Sequence, residues 1–299
     1  MDYALMMKTN LLTGVMVATF CIRVSALSQE HTDALAADQL SFVPYGLLFK
    51  PLVANTYEPR DGMLAEIGKN RLRLDIGNSV DLLQYRFARD SSVITMGADF
   101  FTYTLLRGEQ HFHFPVDASD YFFGVNFNFR KSLGEGTISS RLRISHISSH
   151  FVDGHYDNTV AAWKDGRPPV VYSREFLDGV VALEPSSLDE RARVYLGATY
   201  LFHVDPKSLA RFMADGGVEY HSEVWKNVNT YIAYQATVLK VVDTLGTSVR
   251  HNVQIGEKIG EWKGRGLDLY ASYFSGYSIH GEYYNIKDNY FALGFLIEF

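Results

Sequence analysis

A histidine and a serine two residues apart are the side chains of this sequence whose types and spacing best suit catalysis. His146 and Ser148 lie in the stretch RLRISHISSHFVDGH, residues 141–155. In an extended strand, side chains at i and i+2 share a face, about 7 Å apart at the backbone. The imidazole could therefore lean towards the hydroxyl and act as its base. The pair predicts ester hydrolysis, with Ser148 as nucleophile and His146 as base.

An acidic residue further along the chain could complete the arrangement by orienting the imidazole. Glu175, in YSREFLD at 172–178, is the nearest candidate and has the same parity as Leu177 and Leu183. Leu142 and Ile144 likewise share the parity of His146 and Ser148. If these apolar residues face outwards, the three polar residues do too. The alternative is a non-catalytic role, because Ser and His are also common where a membrane strand meets the headgroup zone.

The other histidines of the chain do not predict a metal site. His146 and His150 would lie about 13 Å apart along an extended strand, too far to share one ion. His111 and His113 are closer together, yet we find no acidic partner at ligand spacing. We therefore expect neither a metal nor a cofactor.

The elements that would position these residues are strands with period-two alternation. Eleven such stretches are clear, and all but the first are long enough to cross a membrane as a tilted strand. They lie near 71–76, 92–106, 121–130, 137–149, 172–183, 191–202, 212–222, 228–239, 246–257, 266–275 and 289–299. Bacterial single-chain barrels have an even strand number. The twelfth would be LLFKPL at 47–52, or residues 81–87 as a separate strand.

This pattern predicts an all-β fold, an antiparallel transmembrane β-barrel of about 12 strands at residues 71–299. Residues 1–26 have the pattern of a signal peptide, with Lys8 before a short apolar run and Val24-Ser25-Ala26 as the cleavage site. Residues 27–70 are irregular and fit either a periplasmic segment or a plug of the lumen. The net charge is -6, without a basic cluster, so no nucleic-acid partner is expected.

The last strand, NYFALGFLIEF, carries an apolar stripe that ends on Phe299. It resembles the closing strand of bacterial outer-membrane barrels, which implies that the barrel-assembly machinery recognises it as an insertion signal. A buried strand of a soluble β-sandwich is the alternative, and exposure of Phe291, Phe295 and Phe299 in a monomer would contradict it.

Several segments together resemble an uncharacterised domain-of-unknown-function family of Gram-negative outer-membrane barrel proteins. They are the HxSSH strand (146–150), the Ser-Arg-Glu strand (173–175), LFKPLVANTYEPR (48–60) and Asp-Tyr-Phe (120–122). The resemblance implies a barrel in the bacterial outer membrane, without an established activity.

The His-x-Ser pair is also similar to that of outer-membrane lipid A deacylases, although position 149 is Ser where those enzymes more usually have Asn. That similarity implies catalysis by Ser148, His146 and Glu175 on an outer-membrane lipid or lipopolysaccharide. The alternative function is a small-solute channel or a structural barrel. Its lumen would be lined by charged side chains, which the alternation predicts to be Arg130, Arg141, Arg143, Arg174, Asp178, Glu219 and Asp268.

Overall fold

The computed structural model describes residues 37–242 and 246–299. The predicted signal peptide, residues 1–26, lies outside the described residues. Within them, no helix is both long enough and apolar enough to cross a membrane. Asp38–Phe299 form one compact unit, and five single-turn 3₁₀ helices lie in its connections: Gln110–Phe112, Asp153–His155, Lys164–Gly166, Ser186–Leu188 and Gly281–Tyr283.

Nearly all regular structure in this unit is β-strand. The strands are β1 (Gln39–Phe42), β2 (Gly62–Glu66), β3 (Arg71–Arg86), β4 (Val93–Arg107), β5 (Val116–Leu133), β6 (Gly136–Phe151), β7 (Tyr156–Asp157), β8 (Ala162–Trp163), β9 (Tyr172–Pro185), β10 (Ala192–Asp205), β11 (Phe212–Trp225), β12 (Val228–Leu239), β13 (Ser248–Gly260), β14 (Gly266–Tyr277) and β15 (Lys287–Glu298).

Twelve of these strands, β2 to β6 and β9 to β15, form a closed antiparallel barrel. Each pairs with the next barrel strand along the chain, and β15 closes the ring on β2, with Phe295 opposite Met63. Short β1 pairs with the end of β3, and β7 and β8 form a separate hairpin. The predicted all-β barrel of about 12 strands is confirmed.

The twelfth strand is neither of the two candidates from the sequence. Residues 47–52 form no strand, and residues 81–86 belong to a continuous β3. The missing strand is β2, so the barrel begins at Gly62 rather than at Arg71. With only five residues, β2 is too short to show a clear period-two pattern.

The two ends of the barrel have different connections. One end has short links such as residues 134–135 and 226–227, and we call it the turn end. The other, the loop end, carries the long segment 152–171 between β6 and β9. Glu282, in the loop before β15, accepts hydrogen bonds from the backbone of Phe151 and Val170. The loops at this end are therefore tied to one another.

The outer surface of the barrel is an apolar belt. Phe291 and Leu293 of β15 are 64% and 57% exposed, whereas Ala292 between them is buried. Phe299 is also exposed, and Phe295 is half-buried. The other barrel strands repeat this alternation. Such a belt is typical of barrels whose outer surface contacts lipid, and unlike a soluble sandwich.

The lumen is occupied by residues 43–61, which we call the lumen segment. Phe49, Leu52 and Ala54 are buried there. Arg193 of β10 donates hydrogen bonds to the carbonyl oxygens of Lys50 (3.0 Å) and Pro51 (2.8 Å). Similar bonds join Val53 N to Glu219, Asn252 to Ala54 O, and Tyr57 to Ile279 O at the loop end. The segment is therefore held to several barrel strands.

Several of the charged side chains predicted to line the lumen form ion pairs there. Arg141 and Arg143 both contact Glu58 of the lumen segment, and Arg193 pairs with Glu219 at 2.7 Å. Remaining cavities in the middle of the lumen and towards its loop end measure only about 40 and 30 Å³. A larger cavity of about 470 Å³ lies at the turn end. In the described part of the chain, the lumen is thus filled rather than open throughout.

Candidate functional site

Strands β6 and β9 are neighbours, and their register brings the three predicted site residues together. His146 lies directly opposite Glu175, and Ser148 opposite Ser173. Side chains alternate across a strand, so the buried Arg141, Arg143 and Ser145 of β6 face inwards and leave His146 and Ser148 on the outer surface. Both are partly exposed and lie towards the loop end, beyond the apolar Leu142 and Ile144.

A short hydrogen bond joins the imidazole to the carboxylate. His146 Nδ1 lies 2.6 Å from Glu175 Oε1, and the two side chains are 23% and 29% exposed. An ionised carboxylate only accepts hydrogen bonds, so the proton of the neutral ring is on Nδ1. The opposite nitrogen, Nε2, is then an acceptor and can take a proton from another group.

The Ser148 hydroxyl is close along the strand but is not bonded to His146. Within residues 37–242 and 246–299, this hydroxyl has no hydrogen-bond partner. In structures without substrate, catalytic hydrogen bonds often form only once the substrate is bound. The arrangement therefore holds a base and its orienting carboxylate in contact, with a free hydroxyl two residues away on the same face.

Aromatic side chains surround the site on the neighbouring strand β5. The ring of Phe123 packs against His146 with the ring centroids 4.7 Å apart. The rings of Tyr121 and His150 are also neighbours, with their centroids 6.1 Å apart. The site thus lies at the boundary between the apolar belt and the polar loop end, where an amphipathic molecule could place both of its parts.

Two further side chains, which the sequence analysis did not identify, contact Glu175. His203 Nδ1 of β10 lies 2.5 Å from Glu175 Oε2, and Ser173 Oγ donates to Glu175 Oε1 at 3.3 Å. A β-bulge shifts the register of β10 between Leu201 and His203. A bulge breaks the alternation, so parity counting could not have placed His203 on the outer surface.

Among the other histidines, His113 has a carboxylate partner in its own loop. His113 Nδ1 lies 2.9 Å from a carboxylate oxygen of Glu109, four residues earlier in the same loop. Across residues 37–242 and 246–299, no three His, Cys, Asp or Glu side chains are grouped so that they could hold a metal ion.

Residues 18–299 match the family described as "Protein of unknown function (DUF1207)". No curated protein matches the chain.

Solved structures with a similar fold are outer-membrane proteins. The outer membrane phospholipase of Salmonella typhi, solved as a dimer with bound calcium, has a TM-score of 0.53 and 13% identity, with 90% of this chain and 94% of that chain covered. An active-site mutant of outer membrane phospholipase A from Escherichia coli has a TM-score of 0.51 and 12% identity, covering 83% and 93%. At such low identity, the likeness shows a shared barrel fold.

Proposed function

This chain belongs to the DUF1207 family of unknown function, and we propose that it is a lipid ester hydrolase of the bacterial outer membrane. In this proposal Ser148 is the nucleophile, His146 its base, and Glu175 the group that orients the imidazole. The observation that carries it is the hydrogen bond between His146 and Glu175 on the outer surface, beside the free hydroxyl of Ser148. If the contact between His146 and Glu175 had only a structural role, it would not require a hydroxyl beside it.

The reaction would proceed through an acyl-enzyme. The Ser148 oxygen attacks the ester carbonyl carbon while its proton passes to His146 Nε2. Glu175 stabilises the imidazolium through its Nδ1 proton. Collapse of the tetrahedral intermediate breaks the bond to the alcohol, which leaves with the proton from Nε2. Water then attacks the acyl-enzyme with His146 again as base, and releases the fatty acid and the free serine.

The position of the site favours a membrane lipid as substrate. The apolar belt would lie in the bilayer, with the turn end at the periplasm and the long loops outside. His146 and Ser148 would then reach the lipid ester zone of the outer leaflet. Lipopolysaccharide and phospholipid both carry ester-linked acyl chains there. The phospholipase names of the similar barrels agree with this substrate class. The barrel-assembly machinery would insert the protein by recognising β15.

A small-solute channel has less support, because the lumen segment occupies the middle of the barrel. Glu58 of this segment is fully buried and contacts both Arg141 and Arg143. A solute could pass only if this segment moved out.

The test is mass spectrometry of lipid A and phospholipids from Gram-negative cells that express the wild type or Ser148→Ala. The matched control is Ser140→Ala, on the same outer face of β6 but towards the turn end. Loss of an acyl chain with the wild type and the control, but not with Ser148→Ala, would support the proposal. Unchanged lipids, with the wild type folded in the outer membrane, would contradict it for these substrates.

A further inference from the structure

Glu175 lies between two histidines that come from the strands on either side of it. His146 of β6 and His203 of β10 are both paired with Glu175 in the sheet register. Each uses Nδ1, and each contacts a different carboxylate oxygen, His146 at 2.6 Å and His203 at 2.5 Å. The carboxylate is therefore fixed from both sides rather than by the catalytic imidazole alone.

Lys207 contacts the other ring nitrogen of His203. Its Nζ lies 3.2 Å from His203 Nε2 and 3.1 Å from Asp205 Oδ1. An ammonium group only donates hydrogen bonds, so Nε2 is the acceptor and the proton that His203 shares with Glu175 is on Nδ1. Asp205 is too far from Nε2, at 3.9 Å, to bond to it. His203 thus donates to Glu175 through Nδ1.

The hydrogen bond from His203 fixes the direction of the Glu175 carboxylate. A Glu side chain on a partly exposed surface otherwise has several rotamers of similar energy.

We propose that His203 is a positioning residue that holds Glu175 in the orientation from which it aligns His146. This inference rests on the proposed hydrolase function. It extends the site by one strand, so that β6, β9 and β10 each supply a side chain. It also assigns a role to the β-bulge of β10, which turns His203 outwards.

The test compares His203→Leu with His203→Asn in the full-length protein, reconstituted in lipid vesicles. The Asn amide nitrogen replaces Nδ1 as the donor to Glu175, whereas Leu removes the donor and keeps an apolar group of similar size. With a lipid ester substrate we expect kcat to fall about 10- to 100-fold in His203→Leu with KM little changed. His203→Asn should restore most of that loss. Equal losses in both variants, or no loss in either, would overturn the proposal.

A second measurement separates this inference from the proposed function. ¹⁵N NMR of histidine-labelled protein reports the tautomer of His146, whose signals are identified by their loss in His146→Gln. We expect the Nδ1–H form in the wild type and in His203→Asn, and a mixture of both tautomers in His203→Leu. An unchanged tautomer in His203→Leu would overturn the positioning role even if the protein is a hydrolase. If the wild type has no hydrolase activity, only the proposed function is contradicted, because the tautomer of His146 can be measured without any activity.

Discussion

Glu58 of the lumen segment and Arg141 of β6 form a buried two-point ion pair. Arg141 Nη2 donates to Oε1 at 2.5 Å and Nη1 to Oε2 at 2.9 Å, and Arg143 adds a third bond at 3.0 Å. His146 and Ser148 lie a few residues further along the same strand, on its other face. The contact that holds the lumen segment is thus made by the strand that carries the candidate site.

We expect Glu58→Ala to be strongly destabilising. Both guanidinium groups are almost fully buried. Arg143 would keep Asp99 as a partner at 3.1 Å, but Arg141 would be left with uncompensated charge, and removal of one partner from a buried ion pair costs about 3–5 kcal/mol. The measurement is urea unfolding of the protein in vesicles, followed by tryptophan fluorescence. Asp90→Asn is the control, because its pair with Lys131 is solvent-exposed and surface pairs contribute little. Similar unfolding midpoints for both variants would show that the buried pair is not a principal anchor.

We expect the wild-type barrel to be silent in planar bilayers. The lumen segment leaves only small cavities in the middle of the barrel and towards its loop end, and a pore needs a continuous water path. Deletion of residues 44–57 should produce regular conductance steps, provided that the variant still shows the heat-dependent gel mobility of a folded barrel. Stable steps from the wild type would contradict the filled lumen and favour the channel alternative.

The proposed mechanism predicts that Glu175→Gln loses activity without losing its fold. The amide can still contact His146, but it carries no charge to stabilise the imidazolium. Since the corresponding Asp→Asn change in a serine protease lowers kcat about 10⁴-fold, we expect a loss of about 10²- to 10⁴-fold here. The assay is release of fatty acid from lipid vesicles. Glu257→Gln, an exposed carboxylate on the outer face of β13, is the control and should keep full activity.

The barrel fold could be predicted from the sequence because period-two alternation is a local property of each strand. The same alternation predicted on which face of β6 the candidate residues lie. Leu142 and Ile144 alone indicate which way His146 and Ser148 point. The lumen segment could not be chosen over a periplasmic segment, because its anchors are long-range: Glu58 and Arg141 are 83 residues apart. Short β2 and the bulge before His203 were missed for a related reason. Neither leaves a periodic signal in the sequence.

The long loop 152–171 at the loop end should open more readily below about pH 6.5, the unperturbed pKa of histidine. His155, in the long loop 152–171, is 1% exposed, stacks on Phe151 at 3.9 Å and bonds to the Tyr283 hydroxyl through Nδ1 at 3.2 Å. Burial lowers its pKa, which the nearby carboxylates of Asp117 and Asp165 offset in part.

A lowered pKa in the closed form means that the open form binds the proton more tightly. The closed loop is therefore fully stabilised above the ordinary histidine pKa, and it loses stability as the pH falls from there towards the lowered value. Hydrogen exchange of residues 152–171, corrected for the intrinsic pH dependence, should show faster opening at pH 5.5 than at 7.5. His155→Phe keeps the stacking ring but cannot titrate, so its opening rate should not change between the two pH values. If this variant opens faster at pH 5.5 to the same extent as the wild type, another group is responsible.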